Sequence, residues 1–228
     1  QQLKNLEMNS LLKSLSITED KSKNCETAYV TENHIPLHRY QSKTVSVIFA
    51  SEKISEKNSV AISDGTDHIV YQAIDLQTAK DFAEDESIQK IVHNFKDIYK
   101  SMILAGIEPK GFVFDTFLAG YVLNPSDERY ELDILSKKYL QKEIGKKQQT
   151  VKQQTFFDDA NESEEDCRLL ADQTFVNYEL YKLFNEKLEK EQMMGLYRDI
   201  EHQLMFVLGD MEIEGFKVDL DMLNIIFS

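Results

Sequence analysis

The feature that most constrains this chain is an alternation of short, apolar, β-branched runs with stretches of helical spacing. Thr44 to Phe49 reads as a strand. Val60–Ser63 and His68–Gln72 read as its hairpin partners across Asp64-Gly65. Asp75 to Glu84 carries a helical pattern, Ile91-Val92 is a short strand, and a helix follows from Phe95 to Ala105. Gly111 to Phe114 is a further strand, and Asp115 stands where a side-chain oxygen caps the helix that continues to Leu123. Another helix is expected around Leu132–Leu140. Strands interleaved with helices in this order predict a layered α/β domain with a mixed sheet.

The flanks read differently. Residues 2–16 form an amphipathic pattern through Leu3, Leu6, Met8, Leu11, Leu12 and Leu15. Residues 17–40 are polar, contain Pro36, and read as a tether. Residues 137–152 carry six lysines and one acid, and residues 158–166 carry six acids; both read as solvated segments. Asn161 with Glu164 fits an N-cap box. The helix it starts runs to about Leu188 and buries Leu169, Val176, Leu180, Leu183 and Phe184. A second long helix shows Leu196, Ile200, Leu204, Val207, Leu208 and Met211 at helical spacing, with Gly215 as a left-handed stop. Phe216–Val218 reads as extended, and Asp219 can cap one more helix.

Composition narrows the classes of function. The chain has 228 residues, of which 42% are hydrophobic, enough to bury a core. No apolar run reaches the roughly 18–20 residues of a membrane helix. The absence of an initiator Met, with an apolar C-terminal stretch at Leu223–Phe227, sets the expectation of a piece of a longer protein. A net charge of −14 argues against a stand-alone nucleic-acid binder, which presents a basic face. Cys25 and Cys167 match no metal or redox spacing and are expected as reduced thiols. Eight glycines supply no phosphate-cradling loop.

Three segments occur in a telling order: His93-Asn94-Phe95-Lys96-Asp97-Ile98-Tyr99-Lys100, then Gly106 to Thr116, then Asp199-Ile200-Glu201 through Met211-Glu212-Ile213-Glu214-Gly215-Phe216-Lys217-Val218-Asp219. Together they resemble the proofreading-exonuclease region and polymerase entry of bacterial DNA polymerase I, a family A DNA polymerase. The resemblance implies a ribonuclease H-like 3′–5′ exonuclease fold with flanking helices. It also implies three parts: residues 1–40 from the 5′-nuclease side, 41–188 as the exonuclease-like domain, and 189–228 as the start of the thumb. His202-Gln203 departs from the family's Met-Pro after Ile-Glu. The polymerising residues would lie beyond Ser228.

In that family two divalent ions sit on four carboxylates, because hard cations that clamp a phosphodiester need oxygen ligands. The resemblance places Ala50 at the first Asp and Glu52 at the Glu. Asn94 and Lys96 match the second motif, which puts Ile98 at its Asp. In the third motif Leu169 takes the Tyr position and Gln173 the Asp position. Asp97 and Asp172 are each one residue away, turned by about 100° on a helix, and are expected as exposed charges. Glu52 is then the one surviving metal candidate, and Asp115 is explained by capping.

Other chemistry is weaker. His34 and His38 flank Pro36 without thiol or carboxylate partners, so a zinc site is not expected. His202 is expected as a satisfied histidine. The readings that stand are an inactivated, bracing exonuclease-like domain without cofactor of its own, a nuclease re-sited on Glu52, Asp97, Asp172 and Asp115, and a non-cutting module for single-stranded DNA using the Lys137–Lys152 segment with Tyr139. The first implies DNA contact and Mg²⁺ use only through a longer polymerase, contact with that polymerase domain, a monomer, no membrane, and a cytoplasmic location.

Overall fold

A computed structural model describes residues 23–24, 27–145 and 163–217. The strands are β1 (Lys23–Asn24), β2 (Val30–Glu32), β3 (Thr44–Phe49), β4 (Lys57–Ser63), β5 (His68–Asp75), β6 (Gln89–Val92), β7 (Phe112–Asp115) and β8 (Lys142–Glu143). The helices are α1 (Leu76–Glu84), α2 (Phe95–Leu104), α3 (Thr116–Leu123), α4 (Leu132–Leu135), α5 (Glu164–Lys190) and α6 (His202–Glu214). The main sheet has six strands in the order β2-β5-β4-β3-β6-β7. The β3-β4-β5 meander is antiparallel, whereas β6 and β7 add in parallel beside β3, and β2 adds in parallel beside β5. β1 and β8 pair separately.

Strand alternation sorts the sheet into two faces. Val45, Val47, Val60, Ile62, Ile69, Tyr71, Val92 and Phe112 join one core with α1, α2 and Met205 of α6. Ile48, Ala50, Ala61, Val70, Ile91 and Phe114 turn to the other face, where α5 lies. Ser46, on that same face, is buried and accepts a hydrogen bond from the Asn177 side chain of α5 at 3.0 Å.

Several expectations are corrected. The polar stretch read as a tether is part of the domain within its described residues: β2 extends the sheet, and Ile35 and Tyr40 are buried. Tyr40 and Tyr71 share a buried hydroxyl contact of 2.6 Å, so this segment is locked to β5. The helix expected over 132–140 is one turn of α-helix continued as a π-helical turn over Ser136–Leu140. The cap of α5 is Ser163, whose hydroxyl accepts from Asp166 N–H; Asn161 lies outside the described residues, as do the segment 2–16, Cys25 and Asp219. The second long helix begins as a π-helical turn over Leu196–Glu201 before α6. Its stripe of Leu196, Ile200, Leu204, Val207, Leu208 and Met211 is exposed; Tyr197, His202, Met205 and Gly209 are buried instead. Gly215 takes the positive φ expected of it.

One corner is held by a fully buried lysine. Lys90 donates from Nζ to the carbonyls of Asp85, Ile88 and Lys110 at 2.7, 3.1 and 2.9 Å. The same Nζ lies 5.3 and 5.2 Å from the ring centres of Phe82 and Phe112. Burial pushes its pKa down to about 8.

Candidate functional site

The positions marked by the sequence lie on three elements that meet at one end of the sheet. Ala50 directly follows β3 and packs on the cluster formed by Ala61, Val70, Cys167, Leu170 and Ala171, on the α5 face. Its methyl group offers no ligand. Glu52 is exposed in the loop after β3. Ile98 on α2 is 7% exposed and sits in the other core, with Val47, Phe95 and Met102. Leu169 packs against the α5-side core and Gln173 is half-buried. Ala50 and Ile98 therefore fill different clusters, rather than closing one pocket together.

The neighbouring carboxylates each have another partner. Asp97 pairs with Lys100 at 2.7 Å and is partly exposed, as expected of a helix-start charge. Asp172 was expected in solvent, but it is 3% exposed and accepts from the Thr27 backbone N–H at 2.8 Å. The chain N-terminal to β2 runs over this turn of α5 and covers it.

Asp115 is buried and serves two helices at once. Its Oδ1 accepts from the N–H groups of Asn94, Phe117 and Leu118 at 3.0, 2.8 and 3.4 Å, and its Oδ2 from that of Phe95 at 2.9 Å. These donors are the first turns of α2 and α3, whose positive dipole ends converge on one carboxylate. Burial raises its pKa, opposed by the four N–H donors. Asn94 itself is left-handed, with φ of 53°, and makes no side-chain cap. The Tyr197 hydroxyl accepts from Asp115 N–H at 2.7 Å, joining the π-helical turn to β7.

Sequence spacing gave no sign of a buried polar chain beneath this end of the sheet. The Thr116 hydroxyl donates to Asn177 Oδ1 at 2.5 Å, which leaves its oxygen to accept from His93 Nδ1 at 2.9 Å. Asn177 Nδ2 continues the chain to Ser46 Oγ and to the Ile91 carbonyl. Burial pushes the His93 pKa down to about 3, so the ring is neutral at pH 7. His202, expected to be satisfied, is buried with no partner for Nε2, between the rings of Tyr197 and Phe206. His34 and His38 are both exposed.

A pair of divalent ions needs several oxygen ligands converging at one point. The four positions that the resemblance marks, Ala50, Glu52, Ile98 and Gln173, carry a methyl group, an exposed carboxylate, a buried alkyl group and a carboxamide. The adjacent carboxylates Asp97, Asp115 and Asp172 are bonded to Lys100, to two helix starts and to Thr27. Among the described residues no three His, Cys, Asp or Glu side chains group so as to hold a metal ion. The described residues do not fit a two-metal centre.

Comparison with known proteins agrees with this architecture. Residues 52–151 match the family model described as DNA polymerase I, ribonuclease H-like domain. DNA polymerase I of Bacillus subtilis is 27% identical over 156 residues, covering 67% of this chain and 17% of that protein. DNA polymerase I of Rhizobium leguminosarum is 30% identical over 156 residues, covering 65% of this chain and 15% of that protein. The chain thus spans less than a fifth of the length of these curated relatives. In fold it is similar to the POL domain of Pol1 from M. smegmatis, solved with DNA primer-template and dNTP, at a TM-score of 0.66 and 18% identity over 86% of this chain and 34% of that one. Brucella melitensis NrnC superposes at 0.64 with 16% identity over 84% of this chain and 97% of its own. Escherichia coli RNase D, an exoribonuclease, superposes at 0.60 with 13% identity over 80% of this chain and 51% of its own. The six-stranded mixed sheet is a ribonuclease H-like fold, and residues 52–151 match the ribonuclease H-like domain of DNA polymerase I.

Proposed function

We propose that this chain is a stretch of a family A DNA polymerase whose exonuclease-like domain has lost catalysis and serves as a brace. The observation that carries the reading is Ile98: a buried, core-packed isoleucine stands where the family's second-motif aspartate would hold metal. Ala50 and Gln173 argue the same way, and the carboxylates nearby are engaged elsewhere. The parts proposed are a lead-in ahead of residue 27, the domain up to residue 188, into which residues 27–40 are packed, and 189–228 opening the polymerase. Any Mg²⁺ chemistry and DNA copying then belong to the rest of that protein, which would act as a cytoplasmic monomer.

The bracing role draws on α6. Its inner face packs Phe206 against Phe95 and Tyr99, at ring separations of 6.4 and 5.1 Å, and bonds Asp210 to the Tyr99 hydroxyl at 2.6 Å. Glu212 pairs with both Lys96 and Lys100 of α2. Its outer face carries the exposed apolar stripe, which suits packing against a polymerase domain.

The test is digestion of 3′-labelled single-stranded DNA with Mg²⁺ or Mn²⁺. No shortening is expected, and calorimetry should find no pair of tight metal sites. Metal-dependent shortening that disappears in Glu52→Ala would establish the re-sited nuclease instead.

One group of contacts favours nucleic-acid holding as a second reading. Lys142 lies 4.1 Å from the centre of the Phe175 ring, and Lys138 and Lys187 lie 5.2 and 4.5 Å from that of Tyr139. Lysines beside aromatic rings are the chemistry of single-strand grooves. A salt-dependent fluorescence shift on adding an oligonucleotide, lost in Lys142→Glu, would support it.

A further inference from the structure

Among the described residues, separate anchors hold the segment ahead of β2 across the start of α5. Thr27 N–H donates to the buried Asp172 carboxylate at 2.8 Å. The Tyr29 hydroxyl donates to the Glu164 carbonyl in the first turn of α5 at 3.1 Å. The Tyr29 side chain packs against the cluster that contains Cys167, Leu170 and Ala171. Beyond Tyr29 the chain enters β2, a three-residue edge strand on which Val30 is 59% exposed. On the other side of Thr27, β1 pairs with β8 through Lys23 opposite Lys142 and Asn24 opposite Glu143.

Each anchor is weak alone. A two-residue strand pair and a short exposed edge strand lie at the low end of local stability. The strongest single contact is the one to Asp172, because an N–H bonded to a buried carboxylate is charge-assisted. Asp172 is also the residue next to Gln173, the degenerate position of the third motif.

From this geometry we infer that residues 27–32 form a releasable strap over the N-terminal turns of α5, latched by Asp172, which opens as a local unit, lifting β2 from β5, while the rest of the sheet stays folded. Opening uncovers Asp172 and the Cys167 cluster and frees the turns of α5 that carry Leu169 and Gln173. The strap thereby links whatever moves the chain ahead of residue 27 to the helix that borders the degenerate cleft. The inference stands whether or not the domain cuts DNA.

The probe is alkylation of Cys167 by iodoacetamide in the full chain carrying Cys25→Ser, read beside native-state hydrogen exchange of the Thr27 amide. In that parent, both are expected to open under native conditions with little dependence on urea, at least tenfold more often than the molecule unfolds globally. Asp172→Ala should raise the alkylation rate by about tenfold or more, and Asp172→Asn by less, since its amide oxygen still accepts from Thr27. Leu188→Ala, at the far end of α5, should lower the urea midpoint without raising alkylation under native conditions. The inference is overturned if Cys167 and the Thr27 amide of the parent open only with global unfolding, a result that needs no variant to fold. It is equally overturned if Asp172→Ala and Leu188→Ala accelerate alkylation equally at matched stability.

Discussion

At the scale of single residues, the same end of the sheet holds two side chains with opposite tolerances. Ile98 sits in a packed core, so a carboxylate there would be buried without a counter-ion. Ile98→Asp is expected to destabilise the domain by about 3–5 kcal/mol, read from urea unfolding, and not to restore a metal site. Asp115 is the reverse case, a buried carboxylate whose four N–H donors depend on it. Asp115→Ala removes the cap of α2 and of α3 together and leaves buried donors unpaired. A loss of about 2–4 kcal/mol is expected from two caps of roughly 1 kcal/mol each plus the unpaired groups, again by urea titration. Asp115→Asn should lose less, because its oxygen can still accept the three bonds now made by Oδ1.

Among elements, α6 depends on close approach to α2. A Cβ on Gly209 would stand 2.6 Å from Tyr99 Cδ1, nearer than side-chain atoms come. Gly209→Ala should push α6 outward and destabilise its docking by about 1–3 kcal/mol. Faster hydrogen exchange over 202–214, with the sheet still protected, would show it. The elements themselves were legible in the sequence where local signals suffice: β3 was read with its bounds, and the turn at Asp64-Gly65, the Asp115 cap and the strands flanking α2 follow from residue type and periodicity, whereas Asp75, read as helical, is the cap of α1. What was not legible depends on partners far along the chain. Nothing near Val30 announces that it will pair with Ile69, and nothing near Asp172 announces Thr27. The apolar stripe of α6 has the right period, but periodicity does not say which face meets α2. The proposed second-motif position, Ile98, was read from the resemblance through Asn94 and Lys96. Its burial, and its separation from Ala50 into another core, required the fold.

Over the whole molecule, acid should act first through the histidines. Burial lowers the pKa of His68, His93 and His202, that of His93 to about 3. Unfolded histidine takes up its proton near pH 6.5, whereas folded His93 does not until about pH 3. Below pH 6.5 the unfolded state therefore binds more protons, and stability falls with pH by at most about 1.4 kcal/mol per unit for this group. It is full above pH 6.5 and is lost on the way down to about pH 3. Urea midpoints measured from pH 7 to 4.5 should fall, and His93→Gln should flatten that slope. Lys90 has a different consequence. Its three oxygen neighbours are main-chain carbonyls, and the Asp85 carboxylate attracts its charge without bonding to it. In effect the chain carries its own tethered cation where another protein would recruit a free ion. That buried corner should yield less to added salt than the exposed lysine–glutamate bonds between α2 and α6, and should be indifferent to chelators.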